Sequence, residues 1–304
     1  MMNCIVQSTP KKVESLSLEF VIDVQCNEFT TAIITSNGLI FTFGCALDGL
    51  TGHGTISSTI DVPRALFDLT SKKVMSVSVG YFHSACITYI GEVYTWGDGC
   101  DGKLGHGDKF SHRTPKCVDA LSVLGVKLIS CGRKHTAVCT KDGSVYTFGR
   151  GEEGQLGQGG NIECIMEPRI VLALKNIPIT QIQCGSSHTM ALTLTGYLYT
   201  WGFGLHAKTC FRGATSGQLG HGETSNFLTL PCLVENLREH NIIQIATKYD
   251  SCAVIVDDSR PNALRRKHQD ILRRMDITSW RIMNRSTHVT AQSSTIRKSG
   301  SYQQ

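Results

Sequence analysis

One phrase recurs four times in this chain at a nearly constant interval: GLIFTFG from Gly38, GEVYTWG from Gly91, GSVYTFG from Gly143 and GYLYTWG from Gly196. The starting glycines are 53, 52 and 53 residues apart. A period of this size implies that each unit is one supersecondary element whose apolar face is buried only against its neighbours. The prolines keep the same beat: Pro10, Pro63, Pro115, Pro168 and Pro231 occupy one repeat position. From each of the first four it is sixteen residues to Cys26, Val79, Cys131 and Cys184, and from Pro231 it is fifteen to Ala246. The repeats therefore run at about 10–62, 63–114, 115–167 and 168–230, with a partial unit at 231–256. Together they make a repeat domain over 1–256, followed by a tail over 257–304.

Within a unit the pattern is that of strands. Val126–Ser130 alternates, while His135–Thr140 and Ser144–Phe148 are rich in β-branched and aromatic residues. Asp142-Gly143 and Asn37-Gly38 are hairpin signals, since such turns need positive φ, which glycine adopts freely. Helical periodicity is missing from 10 to 256. Short, evenly spaced strands with one glycine–aromatic motif per unit predict an all-β fold, with blades of a β-propeller.

The phrases Gly80-Tyr-Phe-His83-Ser84, Gly132-Arg-Lys-His135-Thr136 and Gly185-Ser-Ser-His188-Thr189 are each followed by YTWG or YTFG. A glycine motif then follows, such as KLGHG or GQLGQG. This succession resembles the repeats of the regulator of chromosome condensation family, and the resemblance covers about 80% of the chain. It implies a seven-bladed propeller, which at this period requires roughly 364 residues of repeat. With four and a half units, the chain is expected to form an incomplete propeller of four to five blades. An open arc, or the shortened product of a longer gene, is expected over a smaller closed ring. An arc leaves inter-blade apolar faces exposed, and poor solubility in isolation is expected to follow.

Several motifs invite a catalytic or ligand reading and do not sustain it. Gly149-Arg-Gly151-Glu-Glu-Gly154 matches a dinucleotide-binding pattern, but no helix follows and Glu152 and Glu153 would repel a pyrophosphate. Gly97–Lys103 resembles a phosphate-binding loop, yet Leu104 stands where a magnesium-binding hydroxyl is required. His83, His135 and His188 share one repeat position, with Thr30 and Asp250 read as its counterparts in the end units. His53, His106 and His221 share another. One position is spread over successive blades, so no compact metal site is expected, and these histidines are read as structural. Light-sensing members of the resembled family cluster tryptophans in G-W-R-H-T motifs. The matching triplets here carry none, and with three tryptophans in the chain that chemistry is not expected. Gly44, Gly97, Gly149, Gly202, Trp96 and Trp201 are likewise scaffold positions, and Phe43 and Phe148 join the two tryptophans as blade-packing core. No nucleophile–base or carboxylate pair stands out, so no catalytic residue, cofactor or metal is assigned.

The thirteen cysteines are scattered, with no C-x-x-C pair, and several fall at apolar repeat positions. Reduced, buried thiols in a cytoplasmic or nuclear protein are expected. No apolar run is long enough for a signal peptide or a membrane span.

The period breaks once. Between Trp201-Gly202 and Gly217 about ten extra residues enter, and Leu205, Lys208, Phe211 and Arg212 are candidates for an exposed interaction loop, with an inert insertion as the alternative. The resemblance adds that the family's founding member carries a wedge for a Ran-like small GTPase just after such a Trp-Gly. That wedge replaces the glycine motif, which is intact here as Gln218–Gly222. The tail differs in kind. The formal net charge of +5 divides into about +8 beyond Ser259 and about −3 before it. Leu264, His268, Ile271, Leu272 and Met275 form a helical stripe, with Arg265, Arg266, Lys267, Arg273 and Arg274 around it. A cap on the last blade, a nucleic-acid or chromatin contact, and membrane-surface binding all remain open for it. Past Trp280 the Ser/Thr/Gln-rich end is expected to be disordered. Two function classes follow from the resemblance. One is a non-catalytic protein-interaction scaffold in small-GTPase, ubiquitin or chromatin-linked regulation; the other is a guanine-nucleotide exchange factor for a Ran-like GTPase.

Overall fold

The structure is a computed structural model, and it describes residues 9–54, 59–204, 217–222 and 227–257. Five antiparallel sheets follow one another along the chain. The first contains β1 (Val21–Cys26), β2 (Thr30–Thr35), β3 (Ile40–Cys45) and β4 (Thr59–Ala65). The second contains β5 (Val74–Val79), β6 (His83–Thr88), β7 (Val93–Gly97) and β8 (His112–Cys117). The third contains β9 (Val126–Cys131), β10 (His135–Thr140), β11 (Val145–Arg150) and β12 (Cys164–Ile170). The fourth contains β13 (Ile179–Cys184), β14 (His188–Thr193), β15 (Leu198–Phe203) and β16 (Phe227–Leu233). The fifth has two strands among the described residues, β17 (Ile242–Lys248) and β18 (Ser251–Val256). Each four-stranded sheet is a meander in sequence order. Helical content among the described residues consists of three-residue 3₁₀ turns, such as Phe67–Leu69 and Asp119–Leu121, which bury Leu69 and Leu121.

The repeat explains each blade locally. Pro63, Pro115, Pro168 and Pro231 all fall in fourth strands, the outer edge of each sheet, where a missing N–H costs no ladder bond. The third strands end on Gly44, Gly97, Gly149 and Gly202, with φ of 114°, 106°, 110° and 105°. A methyl group at Gly149 would come within 2.5 Å of the Lys134 carbonyl oxygen. At Gly202 it would come within 2.4 Å of that of Ser187. Both the dihedral and the close approach therefore require glycine.

The core lies in the seams between sheets. Ala32, Ile34 and Ile40 of the first sheet pack with Val77, Val79, Cys86 and Trp96 of the second. Ala85, Ile87 and Val93 of the second pack with Val126, Ile129, Val138 and Phe148 of the third. Met190, Leu192 and Leu198 pack with Ile242 and Ile245 across the last seam. Trp96, Phe148 and Trp201 are fully buried, whereas Phe43, before whose sheet no other lies in sequence among the described residues, is only partly so.

Among the described residues the sheets do not close into a ring. β1 exposes Ile22 and Val24, and β17 and β18 expose Ile243 and Ile255, which are 50% and 52% accessible. The two ends of the arc meet at the inner rim, where Lys248 Nζ donates to the Cys26 carbonyl at 2.6 Å. Cys26, expected in an apolar position, is exposed for the same reason, while Cys86, Cys131 and Cys184 are buried.

One alignment from the sequence needs correcting. Cys184 pairs with Thr189 and Thr247 pairs with Cys252, so Thr247 rather than Ala246 is the counterpart of Cys184. Ser251 rather than Asp250 then stands at the histidine position. The apolar residue Ala246 lies one position off the true register, because the end strand has lost the polarity pattern of a strand buried between two blades.

Candidate interaction face

The histidines latch one blade to the next. His83 Nε2 lies 2.7 Å from Thr136 Oγ1, and His135 Nε2 lies 2.9 Å from Thr189 Oγ1. Thr136 Oγ1 donates its single proton to the Lys103 carbonyl at 2.7 Å, and Thr189 Oγ1 donates to that of Gln155 at 2.8 Å. The imidazole must therefore carry its proton on Nε2 and donate to the hydroxyl. Nδ1 of both rings is buried without a partner, so protonation would add an N–H with no acceptor. Burial pushes His135 down to about 3, with His188 adding to the effect, and drives His83 well below its ordinary value. At the last seam His188 Nε2 meets Cys252 Sγ at 3.0 Å and Thr247 Oγ1 at 3.1 Å, and burial lowers it to about 4.

A second set works within each blade. Thr42, Thr95, Thr147 and Thr200 donate to the carbonyls of Thr51, Leu104, Leu156 and Leu219 at 2.5–2.8 Å. His53, His106 and His221 approach three of these hydroxyls at 2.8–3.0 Å, and the Gln158 amide donates to the fourth at 3.2 Å. That glutamine replaces histidine here points to an N–H donor as the shared requirement. Both histidine positions are thus committed to framework bonds, and each interblade histidine serves a different seam. The tryptophans add a third link, with Trp96 Nε1 donating to the Leu50 carbonyl at 3.0 Å and Trp201 Nε1 to that of Gln155 at 2.9 Å.

Lys103 replaces Leu50 and Gln155 at its repeat position and is 1% exposed. Its ammonium binds Asp98 at 2.6 Å and the Cys100 carbonyl at 2.8 Å. Burial pushes the Asp98 carboxyl up, but the Lys103 ammonium and the Cys100 amide outweigh it and hold that carboxyl below its usual range.

With the framework so uniform, the variable residues stand out. The loops joining the first two strands of each blade gather at one end of the inner strands. They carry Asn27-Glu28-Phe29, Gly80-Tyr81-Phe82, Gly132-Arg133-Lys134, Gly185-Ser186-Ser187 and Tyr249-Asp250. Asn27 Nδ2 donates to the Gly80 carbonyl at 2.5 Å, Tyr81 N to that of Gly132 at 3.2 Å, and Ser186 N to that of Tyr249 at 2.7 Å. Tyr81 is the hub. Phe29 and Tyr249 meet its ring edge-on at 5.5 and 6.1 Å, and the Arg133 guanidinium lies 5.4 Å from its centroid. Its hydroxyl donates to Glu28 at 3.3 Å. Lys248 lies 5.5 Å from the Tyr249 ring, and desolvation together with Glu28 raises the Tyr249 phenol. A cavity of about 110 Å³ opens between these loops, lined by Asn27, Tyr81, Arg133, Ser186, Lys248 and Tyr249.

Sequence reasoning did not select this cluster. The signal was present as the two variable residues inside each of the three G-x-x-H motifs, but only the fold brings these pairs and their counterparts in the first and fifth units to one face. The loop candidates Leu205, Lys208, Phe211 and Arg212, and the tail candidates Arg265, Arg266, Lys267, Arg273 and Arg274, lie outside the described residues.

Four-stranded meander blades, joined at the last three of four seams through histidine–threonine bonds and presenting divergent loops at one end, define a repeat propeller domain. Residues 2–257 match the RCC1-like domain model, and the chain belongs to that family. It is 35% identical over 255 residues to the E3 ubiquitin-protein ligase HERC2 of Homo sapiens, covering 83% of this chain and 5% of HERC2. Identity to the ultraviolet-B receptor UVR8 of Arabidopsis thaliana is 28%, over 83% of this chain and 54% of that protein. The chain thus spans only part of these relatives. Prp20p of Saccharomyces cerevisiae shares the fold with a TM-score of 0.73 at 17% identity, over 88% of this chain and 62% of that one.

Proposed function

We propose that this domain is a non-catalytic protein-interaction module whose binding surface is the loop face centred on Tyr81. One observation carries the reading: the framework residues repeat from blade to blade in closely similar bonds, while the loop residues diverge into a cluster of Phe29, Tyr81, Arg133 and Tyr249. Aromatic and arginine side chains around a shallow cavity are the composition of protein-binding hot spots. Small-GTPase, ubiquitin-linked and chromatin-linked partners are the classes to screen, since HERC2 is a ubiquitin ligase and Prp20p is described with binding to Gsp1p and histones. The test is a binding screen against purified small GTPases, ubiquitin-pathway proteins and nucleosomes, run in parallel with Tyr81→Ala and Arg133→Ala variants. Partners retained equally by both variants would remove the loop face from consideration.

A second reading is guanine-nucleotide exchange on a Ran-like GTPase, favoured by the break in the repeat after Trp201-Gly202. Release of a fluorescent GDP analogue, accelerated by the full chain and abolished by shortening residues 203–216, would support it. No acceleration with any GTPase leaves the scaffold reading.

A further inference from the structure

We infer that the outer edge of β18 is a docking site for an extended strand supplied by a partner polypeptide, of sequence aliphatic-Tyr/Phe-Thr-Trp/Phe-Gly. The inference does not depend on the loop face. In the four complete blades, the strand beside the second strand always carries this sequence: IFTFG, VYTWG, VYTFG and LYTWG, residues 40–44, 93–97, 145–149 and 198–202. The register is the same each time. Ser84, Thr136 and Thr189 face Trp96, Phe148 and Trp201, and His83, His135 and His188 face the terminal glycine. β18 has the same inner pairing, with β17, but among the described residues no strand lies on its other side. By the same register Cys252 would face the aromatic residue and Ser251 the glycine. An exposed strand edge of this kind is a template for strand addition.

The neighbouring blade shows where the aromatic ring would sit. Gly52, Gly105 and Gly157 each lie under the aromatic residue of the next blade. A methyl group on them would come within 2.9 Å of Trp96, 2.8 Å of Phe148 and 2.7 Å of Trp201. Gly220 is the fourth member of this series, and among the described residues it meets only Val234, at 3.2 Å. The carbonyl one residue before Leu219, that of Gln218, corresponds to the Leu50 and Gln155 carbonyls that accept the indole N–H groups. The seat is therefore built by the fourth blade, and the edge by the fifth.

The chain's own sequence contains a near match, Ile277-Thr278-Ser279-Trp280, but it continues with Arg281. In all four blades that position is a glycine at φ of 105–114°, and a Cβ there would lie 2.2–2.7 Å from the loop carbonyl. A strand ending in glycine fits the edge, and this one departs at the residue that tolerates least. The glycine requirement, which Arg281 does not meet, therefore favours a partner strand over this segment.

The test uses the full chain and a synthetic peptide, Gly-Glu-Val-Tyr-Thr-Trp-Gly-Asp, the sequence of residues 91–98. Hydrogen exchange of Ser251–Val256 should slow on titration, at the amides that do not bond to β17. Replacing the peptide tryptophan with alanine should weaken binding about tenfold or more, and replacing its glycine with valine should do the same. Equal protection by all three peptides, or none at about 1 mM, overturns the proposal. Binding that appears only in a Trp280→Ala chain also overturns it, and would assign the edge to residues 277–280 instead.

Discussion

His135 Nε2 stands 2.9 Å from Thr189 Oγ1, joining two blades through side chains 54 residues apart. The hydroxyl passes its own proton to the Gln155 carbonyl, so the imidazole, the hydroxyl and the carbonyl form one directed chain. Thr189→Val removes the middle member and leaves a buried N–H without an acceptor. It also takes one of two donors from the Gln155 carbonyl, whose other donor is Trp201 Nε1. The expected loss is about 2–3 kcal/mol, read from the urea midpoint. Thr189→Ser keeps the hydroxyl and should recover most of it.

The same arrangement makes the domain acid-sensitive. His83, His135 and His188 are held neutral by burial, with His135 at about 3 and His188 at about 4. Above the unfolded value of about 6.5, both states are neutral and stability is flat. Below it the unfolded chain takes up protons that the folded chain refuses, so stability falls by about 1.4 kcal/mol per pH unit for each histidine. The fall continues until the folded-state values are reached. Unfolding curves between pH 7 and 4.5 should show this decline, with His135→Gln making it shallower by one histidine's share.

Phe148 sits where its neighbours have Trp96 and Trp201, so an aromatic ring without an N–H is tolerated at this position. Trp201→Phe should therefore cost only about 1–2 kcal/mol, for the lost bond to the Gln155 carbonyl and a smaller ring. Trp201→Ala should cost about 3–5 kcal/mol, because a fully buried ring leaves a cavity. Thermal denaturation of the two variants separates the contributions.

Lys103 is a charge in a seam where other blades use leucine or glutamine. Asp98→Asn would leave its ammonium buried without a counter-ion, at an expected cost of about 3 kcal/mol. Lys103→Gln together with Asp98→Asn should restore stability close to the parent, since Gln155 fills the same position in the next blade. A double-mutant cycle measures the difference.

Gly149→Ala combines a positive φ of 110° with a contact of 2.5 Å to the Lys134 carbonyl oxygen. A loss of more than about 2 kcal/mol is expected. Gly160, at φ of 65° with open space around it, is the control, and alanine there should cost about 1 kcal/mol.

The repeat alone determined the blades. Asp142-Gly143 sets a hairpin, Pro168 marks an outer edge and Gly149 ends a third strand, because each is a local backbone requirement that any reader of the period can find. The incomplete ring was also legible, since it is a matter of counting units against a known closure. The roles of the histidines were legible only in part. The sequence marked them as structural, but their partners lie one whole period away, on the next blade. The end unit was misaligned at Ala246 because a strand with a blade on only one side no longer shows which residues are buried. The loop face around Tyr81 was decided by the tertiary structure. Glu28, Tyr81, Arg133, Ser186 and Tyr249 stand at one repeat position with four residue types among them, so no motif links them. What brings them together is the stacking of five inner strands with their loops at the same end, and a one-dimensional pattern carries no record of that convergence.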